Sequence, residues 1–327
     1  FFFKQKTAYE IRNCDWSSDV CSSDLRVMVT GGRGFLGRHL VQVLEARGAD
    51  ALPLGRADGD LRDGAVVEEL FVRYQPDFVI HAAVTGGGIG WMREHPADAA
   101  LDNVRMATEL LSAATRHRIR RFCGVSSACV YPRDAAQPMR EDAIWDGAPE
   151  PTNGPYGEAK RMMMVIGAAL ASQEGLDVVF PVPTNLYGPG DETDAGRAHV
   201  VGALLARFEA ARVAEAREVV CWGTGTATRD LLHVRDAAEG IVRHLERGGG
   251  PEPVNLGSGE EHSITTIARA VAAAVGYHGR ITWDTSQPDG MPRKVLDVTR
   301  ARDRLQWTPR ISLAAGLTET VAWLRAG

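Results

Sequence analysis

A tyrosine and a lysine, Tyr156 and Lys160, lie four residues apart in the stretch YGEAK. In a helix this spacing places both side chains on one face, with the ammonium beside the phenol. An unperturbed tyrosine ionises near about pH 10, and a neighbouring cation lowers that pKa. The pair could then exchange a proton with a substrate whose oxygen is held by Ser127, from the upstream stretch SSACVYP. The alternative is an ordinary helix face, since Y-x-x-x-K spacing often arises by chance.

A glycine-rich loop lies between a strand-like stretch, RVMVT, and a helix-like stretch, GRHLVQVLEARG. Its glycines permit a tight turn and a close approach of the backbone to a pyrophosphate. The N-terminus of the following helix supplies free N–H groups and positive partial charge to the phosphates. We therefore predict a dinucleotide-binding loop, the alternative being a structural glycine turn. The loop consists of Gly31, Gly32, Arg33, Gly34, Phe35, Leu36 and Gly37.

The charges around this loop favour NADPH over NADH. An NAD site usually has an acid at the end of the second strand, which holds the ribose hydroxyls. Here that strand ends in Leu54-Gly55-Arg56, and Arg33 lies in the loop itself. Two guanidinium groups could hold a 2′-phosphate by charge-assisted hydrogen bonds, unless both are solvated surface arginines. Asp60 and Leu61 are expected near the adenine.

Strand-like and helix-like stretches alternate through the first part of the chain. The pattern predicts strands at 26–30, 50–54, 76–83, 120–131 and 176–184, separated by helices. Such alternation favours an α/β fold with a doubly wound parallel sheet, a Rossmann domain, and a smaller C-terminal α/β substrate domain. We expect the NADP-binding domain at 26–184 and mainly the substrate domain at 185–327. The stretch from about 217 to 256 is a candidate for a return to the Rossmann domain.

The N-terminal stretch, residues 1–25, resembles a translated sequencing adapter. The segments KQKTAYEI and DWSSDVCSSDL look like its two constant arms, the alternative being a disordered native extension. Setting this stretch apart leaves 302 of the 327 residues for the fold.

Composition excludes several classes of function. A net charge of −5 without a basic run predicts no nucleic-acid partner, and the longest apolar runs are too short to span a membrane. Three of the five cysteines lie outside the adapter-like stretch, without metal-ligand spacing. We therefore expect no metal site and a reducing, cytoplasmic location.

The ordered motifs GGRGFLG, SSACVYP and YGEAK resemble those of the extended short-chain dehydrogenase/reductases. Five further stretches are similar to the GDP-L-fucose synthases among them, namely QPMREDAIWDGAPEPTNGPYGEAK, PTNLYGPGD, AHVVGALLARF, WGTGTATRDLLHV and PDGMPRKVLDV. The resemblance covers almost everything after Leu25. It implies a homodimer that epimerises both carbons beside the ketone of GDP-4-keto-6-deoxy-D-mannose and reduces the ketone with NADPH.

The resemblance also implies individual roles. Tyr156 would protonate the ketone oxygen with support from Lys160 and Ser127, and Cys129 and His199 would be the acid/base pair of the epimerisation. A thiol pKa of about 8.5 and an imidazole pKa of about 6.5 suit proton transfer near neutrality. The residues alone favour a small core side chain for Cys129 and a helix cap for His199.

Further contacts follow from the same resemblance. The implied cofactor contacts, beyond the glycine loop, are Val125, Ser126, Lys160, Pro183, Thr184, Asn185, Leu186 and His199. The implied GDP-sugar contacts are Arg207, Trp222, Arg229 and Asp289. Arg293 and Lys294 are additional candidate cations, with a solvated loop as the alternative.

One stretch departs from the family pattern. Where the family has approximately A-A-K-V-G-G-I, this chain has HAAVTGGGIGWM, in which Gly86-Gly87-Gly88 widens the permitted backbone conformations. This loop could face the sugar, so two alternatives stay open. The enzyme could only reduce or only epimerise a related nucleotide sugar, or the chain could be a non-catalytic NADP-binding scaffold.

Overall fold

The computed structural model describes residues 25–194, 197–287 and 289–326. The adapter-like stretch lies outside these residues, except for Leu25, which is buried in the core next to the first strand. Among the described residues, no helix combines the length and the apolar character that crossing a bilayer requires.

The centre of the molecule is a five-stranded parallel sheet with the order β2-β1-β3-β4-β5. This is the predicted Rossmann arrangement, and helices cover both faces of the sheet. The strands are β1 (Arg26–Thr30), β2 (Asp50–Leu54), β3 (Phe78–His81), β4 (Arg121–Gly124) and β5 (Val178–Val179). The helices that connect them are α1 (Phe35–Ala46), α2 (Gly64–Tyr74), α3 (Ile89–Glu94), α4 (Pro96–Arg116) and α5 (Gly154–Glu174).

The alternation of side chains along a strand explains the two layers of core. On β1, Met28 belongs to the cluster under α2, α4 and α5, whereas Val27 and Val29 belong to the cluster on the opposite face. Successive side chains of a strand point to opposite faces, so an apolar run such as RVMVT fits only a sheet that is covered on both sides.

The C-terminal part adds short strands and five helices among the described residues. The strands are β6 (Pro181–Pro183), β7 (Asn185–Tyr187), β8 (Glu218–Trp222), β9 (Thr228–Arg229), β10 (Leu231–His233), β11 (Val254–Leu256), β12 (His262–Ser263), β13 (Arg280–Asp284) and β14 (Arg293–Lys294). The helices are α6 (Val200–Val213), α7 (Val234–Arg247), α8 (Ile264–Val275), α9 (Thr299–Leu305) and α10 (Leu313–Ala326).

The predicted strand 120–131 is wrong in its second half. The strand β4 ends at Gly124, and Ala128–Val130 form a short 3-10 turn. The Ser127 hydroxyl oxygen accepts a hydrogen bond from the Cys129 N–H at 3.2 Å. A serine side chain that bonds to a nearby backbone group in this way competes with the strand ladder, so the chain turns there.

The predicted strand 176–184 is divided into β5 and β6. Its first part pairs with β4, and its second part pairs with β11. Proline has no N–H to donate to a ladder, so Pro181 can only accept, from the Ser126 N–H at 2.9 Å, and the ladder with the chain after β4 goes no further.

The domain division remains a prediction. The helix α7 packs against α1 and contributes to the core on that face of the sheet, and β10 and β11 pair with β7 and β6. The strand β8, in contrast, pairs with β13 and belongs to a third core cluster. This packing favours a return to the Rossmann domain that begins near 231, not near 217.

The buried face of α2 provides a test of the core. Leu70 is 3% exposed in the core, whereas Val72, on the same helix, is 60% exposed. Replacing a buried leucine with alanine leaves a cavity, so Leu70→Ala should lower the free energy of unfolding by about 2–5 kcal/mol. The matched change Val72→Ala should alter it by less than about 0.5 kcal/mol. Urea unfolding measures both, and equal losses would contradict this packing.

Candidate active site

A cavity of about 930 Å³ opens along the carboxyl edge of the parallel strands. Loops at this edge of a doubly wound sheet are the usual place for a ligand. Most of the predicted cofactor residues line it, namely Gly31, Arg33, Gly34, Phe35, Leu36, Gly37, Arg56, Asp60, Leu61, Val125, Ser126, Pro183, Thr184, Asn185, Leu186 and His199. Gly32 and Lys160 do not line the cavity.

The glycine loop has the shape that a pyrophosphate requires. Gly31 has a φ of +69°, and a side chain on Gly37 would collide with the Gly31 carbonyl. The helix α1 therefore starts directly against the loop, with Phe35, Leu36 and Gly37 at the cavity wall. The first N–H groups of an α-helix have no partner within the helix, so those of this turn would be available to a diphosphate. These residues fit a dinucleotide.

Three arginines lie at one end of the cavity. Arg33 pairs with Asp58 at 3.2 Å, whereas Arg56 makes no ion pair with any described residue. Arg62, which the sequence analysis missed, binds Asp60 at 2.7 Å and Asp102 at 3.0 Å. Hydrogen bonds from Arg62 lower the pKa of Asp60 to about 2. The Asp60 carboxylate is therefore bound by Arg62. The stretch Asp60-Leu61-Arg62 was the only feature of the sequence that indicated this ion pair.

Lys160 is anchored under the cavity floor. The side chain is 2% exposed, and Nζ donates a hydrogen bond to the Val125 carbonyl at 2.9 Å. Burial lowers the pKa of Lys160 to about 8. The ammonium lies 5.7 Å from the centre of the Tyr156 ring, so the predicted pair does share one helix face.

The expected lowering of the Tyr156 pKa is wrong for the ligand-free protein. Burial raises the pKa of the Tyr156 phenol, and the electrostatic interaction with the nearby Cys129 side chain raises it further. The shift has the opposite sign because loss of water disfavours the charged phenolate. A phenol that keeps its proton at neutral pH is suited to donating it to a substrate oxygen.

Cys129 is presented to the cavity by the turn that ends β4. Its side chain is half-buried and lines the cavity with Ser127, Tyr156 and Lys294. The Lys294 Nζ lies 3.8 Å from the Cys129 Sγ. The core interpretation therefore suits Cys123 and Cys221, which are buried, but not Cys129.

His199 precedes the helix α6 as its N-cap residue. Its side chain makes no capping hydrogen bond, and the ring lines the cavity. The surrounding protein lowers the pKa of His199, and the Lys294 ammonium lowers it further. The imidazole is therefore neutral near neutral pH and available to exchange protons.

The unusual glycines at 86–88 pack closely against this part of the site. The Gly88 N–H donates to the Arg197 carbonyl at 2.9 Å, and a side chain on Gly88 would meet the Ala198 carbonyl. A side chain on Gly86 would lie against Met92 and reach the Tyr156 ring. The loop therefore packs directly against the segment that carries His199.

The four predicted GDP-sugar residues lie outside the cavity lining, in the C-terminal part. The Arg207 guanidinium lies 5.7 Å from the centre of the Trp222 ring, and Trp222 is 63% exposed. Asp289 accepts hydrogen bonds from the Thr224 N–H at 2.7 Å and from its hydroxyl at 2.9 Å. Arg229 pairs in register with Lys294, which lines the cavity, so β9 and β14 connect the two groups.

A parallel sheet, a glycine loop at its edge and a Tyr/Lys pair on α5 define an NAD(P)-dependent enzyme of the short-chain dehydrogenase/reductase type. The model described as "NAD dependent epimerase/dehydratase family" matches residues 27–257. The chain belongs to this family and, within it, to the GDP-L-fucose synthases.

The relatives that support this assignment match most of the chain. It is 39% identical to GDP-L-fucose synthase 1 of Arabidopsis thaliana over 94% of this chain and 95% of the relative. It is 38% identical to the GDP-L-fucose synthase of Escherichia coli (strain K12) over 92% and 97%. Among solved structures, a GDP-L-fucose synthetase of Naegleria fowleri bound to NADP has a TM-score of 0.84 and 29% identity, covering 93% of each chain.

The choice of NADPH can be tested at Arg56. The change Arg56→Ala removes a guanidinium that binds no described carboxylate, so NADPH affinity should fall about tenfold to a hundredfold and NADH affinity should change little. Arg73→Ala removes an arginine that does not line the cavity and should change neither. Fluorescence titration with both cofactors measures the effect. Equal losses for NADPH and NADH would refute the 2′-phosphate contact.

Proposed function

We propose that the chain converts GDP-4-keto-6-deoxy-D-mannose to GDP-L-fucose by epimerising two carbons and reducing the ketone with NADPH. One observation carries this proposal. The Ser127/Tyr156 pair and the Cys129/His199 pair line the same cavity as the glycine loop. A reductase needs only the first pair, whereas proton exchange at carbon needs groups such as the second.

In the reduction, NADPH held at the glycine loop would supply a hydride to the ketone carbon. The protein supplies the proton and holds the ketone oxygen. We assign the proton to the Tyr156 hydroxyl, whose raised pKa keeps it protonated, and the positioning of the oxygen to Ser127. The Ser127 oxygen already accepts from the Cys129 N–H, so its own hydrogen is available to donate.

In the epimerisations, the carbons beside the ketone lose and regain a proton. The resulting enolate carries charge on the same oxygen, where the Tyr156 and Ser127 hydroxyls can stabilise it. We assign the removal and return of protons to Cys129 and His199. Both side chains line the cavity, and both lie near Lys294.

We assign recognition of the GDP part to the cluster in the C-terminal part. The exposed Trp222 indole could pack on a ring of the nucleotide, and Arg207 and Arg229 could bind phosphate oxygens. The hydrogen bonds from Thr224 fix the Asp289 carboxylate beside this surface.

A reductase or epimerase of a different nucleotide sugar is the second candidate. The specific observation in its favour is the loop 84–88, where the half-exposed Val84 lines the cavity in a stretch that departs from the family pattern. A non-catalytic scaffold explains the glycine loop but leaves no use for Ser127, Tyr156 and Cys129 around one cavity.

We also propose a homodimer through the helices α4 and α5, in the cytoplasm. These helices pack against each other and carry three exposed apolar side chains, Leu101, Met162 and Val165. A second copy of this chain would cover them. The three cysteines of the described residues are free, which fits a reducing compartment.

Isotope incorporation tests the reaction. With GDP-4-keto-6-deoxy-D-mannose and NADPH in deuterated water, the wild-type protein should place deuterium at both carbons beside the ketone and oxidise one NADPH per product. Mass spectrometry and NMR of the product measure both results. Reduction without deuterium would leave a reductase only, and deuterium without NADPH oxidation would leave an epimerase only.

Two variants should separate the steps in the same experiment. Tyr156→Phe removes the proposed donor and should slow reduction roughly 10²- to 10⁴-fold, with NADPH binding retained. Cys129→Ser should slow deuterium incorporation more than it weakens NADPH binding. The assignment of Tyr156 fails if its variant reduces the ketone at the wild-type rate.

The oligomeric state can be tested on the exposed face of α5. Val165→Asp places a charge at the proposed interface and should convert dimers to monomers in analytical ultracentrifugation. Val213→Asp, at an equally apolar exposed position at the end of α6, is the control and should leave the dimer intact. A wild-type protein that sediments as a monomer would refute the dimer directly.

A further inference from the structure

Lys294 reaches the cavity from a distant part of the chain. It ends β14, where its backbone carbonyl accepts a hydrogen bond from the Asp230 N–H at 3.0 Å. Its side chain is half-buried and extends to Cys129, 165 residues earlier in the sequence, with Nζ 3.8 Å from Sγ. A thiol in contact with an ammonium is stabilised as the thiolate, which is the reactive form of cysteine.

The neighbouring cation on the same strand is engaged elsewhere. The Arg293 guanidinium binds both carboxylate oxygens of Glu261, at 2.9 and 2.7 Å. Lys294, in contrast, makes no ion pair with a carboxylate of any described residue. The Lys294 ammonium therefore contacts the Cys129 sulfur without a carboxylate of the described residues to neutralise it.

The other titratable groups near Cys129 leave Lys294 as the determining charge. Tyr156 keeps its proton, because burial raises its pKa. His199 is neutral, because the surrounding protein and Lys294 lower its pKa. Lys160 lies beneath the cavity floor and donates to the Val125 carbonyl, not to the sulfur.

We propose that Lys294 is a positioning residue that holds Cys129 as a thiolate in front of the sugar, so that Cys129 begins each epimerisation as the base. This role rests on the function proposed above. In the first step a C–H bond of the sugar breaks, its proton forms an S–H bond with Cys129, and the electron pair moves into the enolate. His199, after taking up a proton from solvent, returns it to the opposite face, which forms the new C–H bond and leaves the imidazole neutral again. The Cys129 thiol releases its proton to solvent before the next epimerisation.

The state of the thiol can be measured without substrate. The rate of Cys129 alkylation by iodoacetamide is followed on the full-length protein from roughly pH 5 to 10, and mass spectrometry of the Cys129 peptide separates it from the other cysteines. In the wild-type protein the rate should reach half of its maximum at least about one pH unit below the usual cysteine value of about 8.5.

Variants of the strand β14 assign the effect. Lys294→Met and Lys294→Gln should raise the midpoint by at least about one pH unit and so slow alkylation at neutral pH by about tenfold. Lys294→Arg keeps a cation and should stay closer to wild type. Arg293→Met, whose cation is bound by Glu261, should not move the midpoint.

Two outcomes would overturn the proposal. A wild-type midpoint at or above about 8.5 would do so even if the neutral variants failed to fold, and so would a neutral variant that titrates like wild type. The proposed function has a separate test. If the wild-type protein places no deuterium in the sugar, the proposed function is refuted, whatever the pH midpoint of Cys129 alkylation. If both hold, Lys294→Met should lose deuterium incorporation by at least about tenfold while its NADPH affinity is unchanged.

Discussion

The hydrogen bond from Lys160 to the Val125 carbonyl is the contact on which the candidate site depends. It joins the helix α5 to the end of the strand β4 at 2.9 Å, inside the protein. Tyr156 lies one turn earlier on that helix, and Ser127 and Cys129 follow Val125 within four residues. One buried contact therefore fixes the phenol relative to the turn that carries the hydroxyl and the thiol. The buried Lys160 is tolerated because its nitrogen is hydrogen-bonded and because its lowered pKa makes the neutral amine more accessible.

A second buried group, Asp230, connects the cofactor side of the cavity to the C-terminal part. Its carboxylate accepts hydrogen bonds from the Ser258 N–H and hydroxyl, and its carbonyl accepts from Thr184 and Asn185 at the cavity wall. Its N–H donates to the Lys294 carbonyl. The position of Lys294 is thus set by the same backbone that holds the strand end beside the cofactor space.

Local spacing made part of this site predictable. The glycine loop and the Tyr156/Lys160 pair depend on residues a few positions apart, so a strand, a turn or a helix face was enough to place them. The parallel sheet followed from the alternation of apolar strands and helices. Arg207 and Trp222, which the family resemblance and not spacing implied as GDP-sugar contacts, also come together, although they lie away from the main cavity.

The remaining features depend on contacts that spacing does not contain. The approach of Lys294 to Cys129 joins segments far apart in the chain, and Arg62 gains its role from Asp102, forty residues away. The turn at Ser127 arises from a side-chain hydrogen bond within a stretch that otherwise has strand character. The sign of the Tyr156 shift depends on how much water the folded protein removes, which only the packed structure reveals.

The depressed basicity of Lys160 couples ligand binding to the acidity of the medium. Because its pKa is about 8, a sizeable share of unliganded molecules carries an uncharged amine there in mildly alkaline solution. A ligand that brings negative charge into the cavity above this nitrogen favours the charged form of Lys160, which then takes up a proton from water. Each ligand that binds is then accompanied by the uptake of a fraction of a proton. The heat of binding measured by calorimetry will therefore vary with the ionisation enthalpy of the buffer.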